Sequence, residues 1–234
     1  MKNTLYTWTI KEVIDETPNV RTLVLTMNAP RPEFIAGQYL TVKLVGHNPI
    51  EGKAYSISSA PHETNLTLTI KKMGSYSSEL LSKNVGDTID TSAPYGFFYP
   101  ESDDSNCIVF IAGGIGITPC MSIINQLCHA NDTHLIHLFY SNQTTKDVVF
   151  QDKLISLARQ HTNFTYHSHI TRQESVSAPH IHGRMNATSV LQQLQNTSPT
   201  TFFLCGSQFF TRDLWKDLRS VGIPSEQIYT EGFF

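Results

Sequence analysis

The hydrophobic and polar positions of the chain follow two rhythms, and the change falls near residue 103. Before it, apolar residues come in short alternating runs at 5–13, 21–27, 37–45, 53–59 and 66–72, rich in Thr, Val, Ile and Tyr. Pro30, Pro32, Asn48-Pro49, Pro61-His62 and Val85-Gly86-Asp87 mark the turns. Short period-two runs at regular spacing predict an antiparallel barrel or sandwich. One helix is expected inside this half, at about 75–83, because Leu80 and Leu81 follow a serine-rich cap.

Beyond Pro100-Glu101-Ser102-Asp103-Asp104 the apolar runs become continuous and alternate with helical spacing. Strands are expected at 107–112, 134–140, 164–171, 201–205 and 227–230. Helices are expected at 119–130, 148–161, 188–194 and 208–221. The β-α-β-α order predicts a parallel sheet covered by helices on both faces. The expected domains are residues 1–102 and 103–234.

Composition narrows the function. The 234 residues suit two domains of about 100–150 residues each. Seventeen basic against twenty acidic residues give a net charge of −3, which argues against a dedicated nucleic-acid binder. With 40% apolar and 16% charged residues, wholesale disorder is excluded. No run approaches the roughly 18 apolar residues of a membrane span. Residues 1–15 alternate and carry charges, so they read as neither signal peptide nor lipidation site. The expectation is a soluble, cytoplasmic monomer. Cys107, Cys120, Cys128 and Cys205 show no zinc, iron–sulfur or disulfide spacing. Redox chemistry would therefore need an organic cofactor or a partner.

The most pointed local signal is Ala112-Gly113-Gly114-Ile115-Gly116-Ile117-Thr118-Pro119, between a buried strand and a helix. Glycines let a backbone approach a pyrophosphate, and a helix start offers free N–H groups. Pro119 stands where the Rossmann fingerprint has its third glycine, and proline is sound in a first helical turn. By itself this is equally the pattern of a tight turn.

Gly-Gly-Ile-Gly-Ile-Thr-Pro resembles the dinucleotide loop of the ferredoxin–NADP reductase family, and the resemblance runs from about Gly37 to Phe234. Lys53-Ala54-Tyr55-Ser56 is similar to the family's Arg-x-Tyr-Ser/Thr flavin strand. The resemblance implies that the Tyr55 ring packs on the flavin and that the Ser56 hydroxyl meets flavin N5. Lys53 keeps a positive charge for phosphate but lacks the arginine fork. Gly74-Ser75-Tyr76-Ser77 resembles the family's Gly-x-x-Ser pyrophosphate turn, and as a bare sequence it is an ordinary serine cap. Phe34 to Tyr39 and Gly86 to Phe98 stand in the family's order as framework, with Tyr95-Gly96 near the flavin rim. Cys205-Gly206 resembles the pair beside the nicotinamide, and Glu231-Gly232-Phe233 resembles the family's Glu-x-aromatic ending. Gly183-Arg184-Met185 is a lesser match.

The implied fold is an antiparallel Greek-key β-barrel that binds FAD, joined to a Rossmann-like α/β domain that binds NADH or NADPH. The implied catalytic residues are Ser56, Cys205 and Glu231. The implied cofactor-binding residues are Lys53, Ala54, Tyr55, Ser56, Gly74, Ser77, Tyr95, Gly113, Gly114, Gly116, Thr118, Pro119, Gly206, Phe233 and Phe234. The implied activity is hydride transfer from NAD(P)H to FAD, with electrons passed to a separate ferredoxin, flavodoxin or oxygenase component. A reductase of free flavin and a non-catalytic subunit are the rival readings. No acidic residue follows the second α/β strand, and Gln143 stands where related sequences often have Arg. That favours NADH, with Lys146 and Arg172 as groups that suit a 2′-phosphate.

Other residues carry less. The ten histidines include His134/His137, His167/His169 and His180/His182. Alternate strand residues share a face, so His167 and His169 suit a metal by position, yet no carboxylate or thiol sits at ligand spacing, and solvated or hydrogen-bonded histidines are expected. No Gly-x-Ser-x-Gly elbow occurs. Trp8 and Trp215 read as packing residues, and Lys71-Lys72 as a solvated pair.

Overall fold

The structure, a computed structural model, describes residues 5–100, 105–194 and 199–233. The expected boundary between 102 and 103 lies outside the described residues. The chain forms two compact units, Met1–Tyr99 with Met121–Gln126, and Pro100–Cys120 with Leu127–Phe234.

The first unit holds β1 (Tyr6–Thr17), β2 (Val20–Thr26), β3 (Tyr39–Lys43), β4 (Lys53–Ser56), β5 (Leu66–Lys71), α1 (Ser75–Ser82) and β6 (Thr88–Thr91). Strand order is β4-β3-β6-β1-β2-β5, and every pairing is antiparallel. Beyond β4 the chain reaches the far edge: Ile57 bridges Leu68, and Ser58 N donates to Thr67 O at 2.9 Å. The sheet thus closes on itself as a Greek-key barrel, which leaves few unpaired edge groups. Alternate residues point inward, and Ile10, Leu23, Leu25, Leu40, Val42, Ile57 and Leu68 make the core. Each such buried side chain contributes roughly 1.5–3 kcal/mol of transfer free energy. Trp8 is a packing residue, as expected: it is buried, and its Nε1 donates to Thr91 Oγ1 at 2.9 Å.

The second unit's strands are β7 (Cys107–Gly113), β8 (Leu135–Asn142), β9 (Phe164–Ile170), β10 (His180–His182), β11 (Thr200–Ser207) and β12 (Ile228–Phe233). Its helices are α2 (Ile117–His129, the middle of which groups with the first unit), α3 (Gln151–Gln160), α4 (Ala187–Leu191) and α5 (Gln208–Ser220). Strand order is β10-β9-β8-β7-β11-β12, all parallel. Six residues of β7 in succession are buried, the mark of a central parallel strand covered on both faces. On one face Val109, Ile111, Phe202 and Leu204 pack with Val190 of α4 and Leu214 and Leu218 of α5. On the other, the rings of Phe110, Phe203 and Tyr229 stack in a row.

The sheet order reverses at β7, whose neighbours are β8 and β11. Such a switch point opens a crevice at the strands' C-terminal ends, where α/β sheets take their ligands. Both Gly113 and Cys205-Gly206 lie at those ends.

Several element limits differ from expectation. α2 begins at Ile117, so Pro119 is its third residue; first-turn N–H groups lack an internal acceptor, and proline costs nothing there. α3 begins at Gln151 rather than at 148, because Phe150 adopts φ 61° and breaks the helical run. β6 and β10 were not expected, being only four and three residues long. Trp215 is 36% exposed, so it packs less completely than expected.

Candidate functional site

In the second unit the glycine loop follows β7 as a single 3-10 turn, Gly114–Gly116, which runs into α2. Gly114 has φ +54°, and a Cβ there would meet no protein atom within 4 Å. The space over the turn is therefore open. Gly116 is required for the opposite reason: a Cβ would lie 2.3 Å from the carbonyl oxygen of Cys205 and 2.7 Å from Gly206 N. A Cβ on Gly206 would meet the Phe210 ring at 2.7 Å and Gly113 Cα at 3.4 Å. Loop and strand end thus pack backbone against backbone. Thr118 does not face outward with its hydroxyl proton, which it donates to Ile115 O at 3.0 Å.

Ala112, Cys205 and Glu231 lie abreast on β7, β11 and β12. Cys205 is fully buried. Burial first, then the neighbouring Cys120 and Glu231, push its thiol well above the ordinary value. It is a neutral S–H rather than a thiolate nucleophile. Glu231 is half-buried, and two register positions further on Phe233 pairs with Ser207. Phe234 lies outside the described residues.

At the C-terminal end of β8, Asn142 is buried, and neither its amide oxygen nor its amide nitrogen has a hydrogen-bond partner. Arg172 N donates to Gln143 O at 2.8 Å, and Arg172 Nη1 to Gln143 Oε1 at 3.4 Å. Two of the three residues weighed for coenzyme choice, Gln143 and Arg172, therefore sit together. Asn142 was not a candidate in the sequence; an amide at a strand end carries no signal until its burial is known.

In the first unit, α1 begins at a Gly74 with φ +157°, and no side chain caps its first-turn amides. A Cβ on Gly74 would meet nothing within 4 Å. Ser77 Oγ accepts from Met73 N at 2.8 Å and donates to Gly74 O at 3.2 Å. Its hydroxyl shapes the turn, so what the turn offers an anion is backbone N–H. Lys53 Nζ stands 5.6 Å from the centre of the Tyr76 ring. The Tyr76 hydroxyl donates to Val42 O at 2.6 Å and accepts from Leu44 N at 3.1 Å, which braces the turn against the barrel.

On β4 the side chains alternate. Lys53 and Tyr55 share one side with Ile57; Ala54 and Ser56 share the other. Tyr55 packs against the barrel core, and burial, then Tyr76, pushes its phenol up to about 12. Ser56 is buried and lies opposite Tyr39. The Tyr39 and Tyr95 rings meet edge-on at 5.9 Å, and Tyr95 meets Phe97 at 5.3 Å. Tyr95 and Phe97 are 57% and 63% exposed, an aromatic ladder open to solvent.

Among the described residues no group of three His, Cys, Asp or Glu is placed to hold an ion. His167 stacks on Phe139 at 4.3 Å, and its Nε2 lies 3.4 Å from His137 Nδ1. Burial, then His137 and His169, lower the His167 imidazole to about 4. His180 Nδ1 lies 2.8 Å from Ser168 Oγ.

The residues present fit both organic groups the fold calls for. An uncapped helix start beneath an open Gly74 suits a pyrophosphate in the first unit. An open Gly114 on a turn that enters α2, with an orphaned Asn142 nearby in the fold's ligand-side layer, suits one in the second. These are the two modules of an oxidoreductase that uses FAD and a nicotinamide dinucleotide. Residues 7–99 match the model of the oxidoreductase FAD-binding domain, and residues 110–215 that of the oxidoreductase NAD-binding domain. The chain belongs to the ferredoxin–NADP reductase family.

Among curated proteins, the chain is similar to the phenol hydroxylase P5 protein of Acinetobacter pittii, at 35% identity over 169 residues, 69% of this chain and 46% of that one. It is similar to the ferredoxin reductase component of the 3-ketosteroid-9-alpha-monooxygenase of Mycolicibacterium smegmatis, at 29% identity, covering 96% of this chain and 64% of that one. The chain thus spans between about half and two thirds of the length of these relatives. Its fold matches that of a ferredoxin NADP+ reductase from Neisseria gonorrhoeae with bound FAD and NADP, with a TM-score of 0.84, 22% identity and coverage of 98% and 99%. Among the described residues no helix is long and apolar enough to cross a membrane.

Proposed function

We propose that the protein takes a hydride from NADH or NADPH onto bound FAD and passes the electrons to a separate acceptor, an oxygenase component or a ferredoxin or flavodoxin. The observation that carries this reading is the placement of Cys205 and Glu231 side by side on β11 and β12, with the Cys205 backbone packed against the glycine turn that follows β7. When bound, FAD would supply the capacity to accept an electron pair and release it singly; that chemistry is the cofactor's.

The barrel, residues 1–102, would hold FAD, and residues 103–234 the coenzyme. The first-turn amides of α1 and the Lys53 charge would hold the FAD pyrophosphate, with Gly74 giving the close approach and Tyr76 bracing the turn. Tyr55, Ser56 and Tyr95 would border the flavin, and Ala54 would pass it by its backbone. The amides of the turn at Gly114 and Gly116, with Gly113, Thr118 and Pro119 setting its shape, would hold the coenzyme pyrophosphate. Cys205 contributes a small neutral body beside Gly206, so a flat nicotinamide can lie close without meeting a charge. Glu231 would hold or move a proton near the nicotinamide, and Phe233 would shield apolar flavin surface until the coenzyme arrives. The oxygenase-component acceptor is favoured by the relatives' names. A cytoplasmic monomer completes the reading.

The test is an anaerobic titration of protein purified with added FAD. One flavin per chain, bleached by NADH or NADPH and re-oxidised by a ferredoxin or oxygenase component, is the expected result. Absence of bound flavin overturns the reading. Saturable turnover of added free flavin without a tightly bound one would make the protein a flavin reductase instead.

A further inference from the structure

We infer that Tyr140 is a positioning residue for the coenzyme pyrophosphate: its buried hydroxyl ties the glycine turn to the loop that follows β8 and so fixes the direction in which the turn's amides point. The inference rests on the reading of the second unit as the coenzyme domain.

Three successive carbonyls of the turn each accept a side-chain proton. Tyr140 Oη donates to Gly114 O at 3.0 Å, Thr118 Oγ1 to Ile115 O at 3.0 Å, and Cys120 Sγ to Gly116 O at 3.5 Å. The last two are local, from residues three and four positions further along the same helix, and such back-bonds are common wherever Thr or Cys follows a helical carbonyl. Tyr140 is different. It reaches from another strand, twenty-six residues away. Its hydroxyl also accepts from Val149 N at 3.3 Å. Val149 precedes Phe150, whose left-handed conformation ends the β8–α3 loop.

One oxygen therefore joins two segments on either side of the β7–β8 strand ends. A peptide whose carbonyl is held inward presents its N–H groups outward, toward the open side of Gly114. The ring is fully buried and cannot swing away. Burial also keeps the phenol protonated, so it remains a donor to Gly114 O. The partner loop carries Gln143 and Lys146 and follows Asn142, the last residue of β8; these are polar groups at the strand end where the adenosine half of a dinucleotide lies in a sheet of this order. Binding at one segment is thus expected to order the other through the shared hydroxyl.

Tyr140→Phe removes that oxygen and little else. In FAD-loaded protein, the Kd for ADP-ribose, measured by calorimetry, is expected to rise about tenfold, the scale of one buried hydrogen bond. The KM for NADH should rise with it, while kcat stays within about twofold. Tyr166→Phe, at a half-buried tyrosine whose hydroxyl oxygen is buried without a hydrogen-bond partner, should leave both constants unchanged. A folded, yellow Tyr140→Phe protein that binds ADP-ribose within about twofold of wild type overturns the inference. Wild-type protein that binds FAD but not ADP-ribose overturns the coenzyme reading as well, which is a different outcome. Should Tyr140→Phe fold poorly, hydrogen exchange on the wild type decides: ADP-ribose is expected to protect Val149 N–H together with the amides of residues 114–116. Protection of the turn with Val149 unchanged refutes the coupling.

Discussion

Cys205 and Glu231 sit directly opposite each other on the parallel neighbours β11 and β12, with Ala112 of β7 on the other side of the cysteine. The thiol is fully buried, and both burial and the nearby carboxylate disfavour its ionisation. It should therefore resist thiol reagents in the native protein at pH 8, while unfolding in denaturant exposes all four cysteines. Rapid labelling of Cys205 in the folded state would contradict the geometry. Under the proposed function, Cys205→Ala keeps FAD and slows its reduction by NADH, and Cys205→Ser restores most of the rate. Stopped-flow absorbance of the flavin band gives the comparison.

Gly114→Ala and Gly116→Ala separate ligand space from packing. The alanine at 116 would press on the Cys205 carbonyl at 2.3 Å, so a loss of about 1–3 kcal/mol of stability is expected along with coenzyme binding. The alanine at 114 meets no protein atom and carries only the left-handed backbone cost of about 1–2 kcal/mol. Its methyl group enters the space over the turn, so its main effect should be on the KM for NADH, with FAD content unchanged. Equal melting temperatures for Gly116→Ala and wild type would show that loop and strand end are not in contact.

The stacked histidines predict a pH dependence of stability. His167 is lowered to about 4 by burial and by its neighbours, and burial lowers His137 and His169 too. In the unfolded chain these rings titrate near 6.5. Between pH 6.5 and 4 the unfolded state therefore binds more protons, so stability falls as pH drops through that window and is complete above it. Partial exposure of the rings moderates the effect. Thermal melts of His167→Gln should lose less between pH 7 and pH 5 than wild type does. Parallel melting curves for the two would remove the histidines from the acid response.

Coenzyme choice should respond to Gln143. Arg172 already leans on the Gln143 side chain. Gln143→Arg places a second guanidinium beside it, a pair suited to a 2′-phosphate. The expected result is wild-type preference for NADH and a gain of about tenfold or more in kcat/KM for NADPH in the variant, or 1.4 kcal/mol. No gain would mean that the 2′ position does not approach this pair.

The architecture was legible where periodicity is long. β7 declared itself by an unbroken apolar run, and β1 and β2 by alternation, because burial on one or both faces must be written into the residues themselves. β6 and β10 were not legible: four and three residues hold too few periods, and their pairing is supplied by neighbours distant in sequence. The glycine turn was recognisable, but whether a given glycine serves space or conformation was not. Gly114 and Gly116 look alike in the chain and differ only in what stands opposite each of them.

The sequence by itself determined two periodic halves, the order of the longer strands and of the helices, and the motifs that place this chain among FAD- and nicotinamide-dependent reductases. These are local properties, set by which residues are apolar and which backbone positions must bend. Tertiary structure alone decided that Ile57 meets Leu68 to close the barrel, that the Ser77 hydroxyl turns back on Gly74 and Met73, and that Asn142 is buried without a partner. It also decided that the hydroxyl of Tyr140 lands on Gly114. Each depends on two segments meeting in space, and hydrogen bonds made across that distance leave no pattern along the chain.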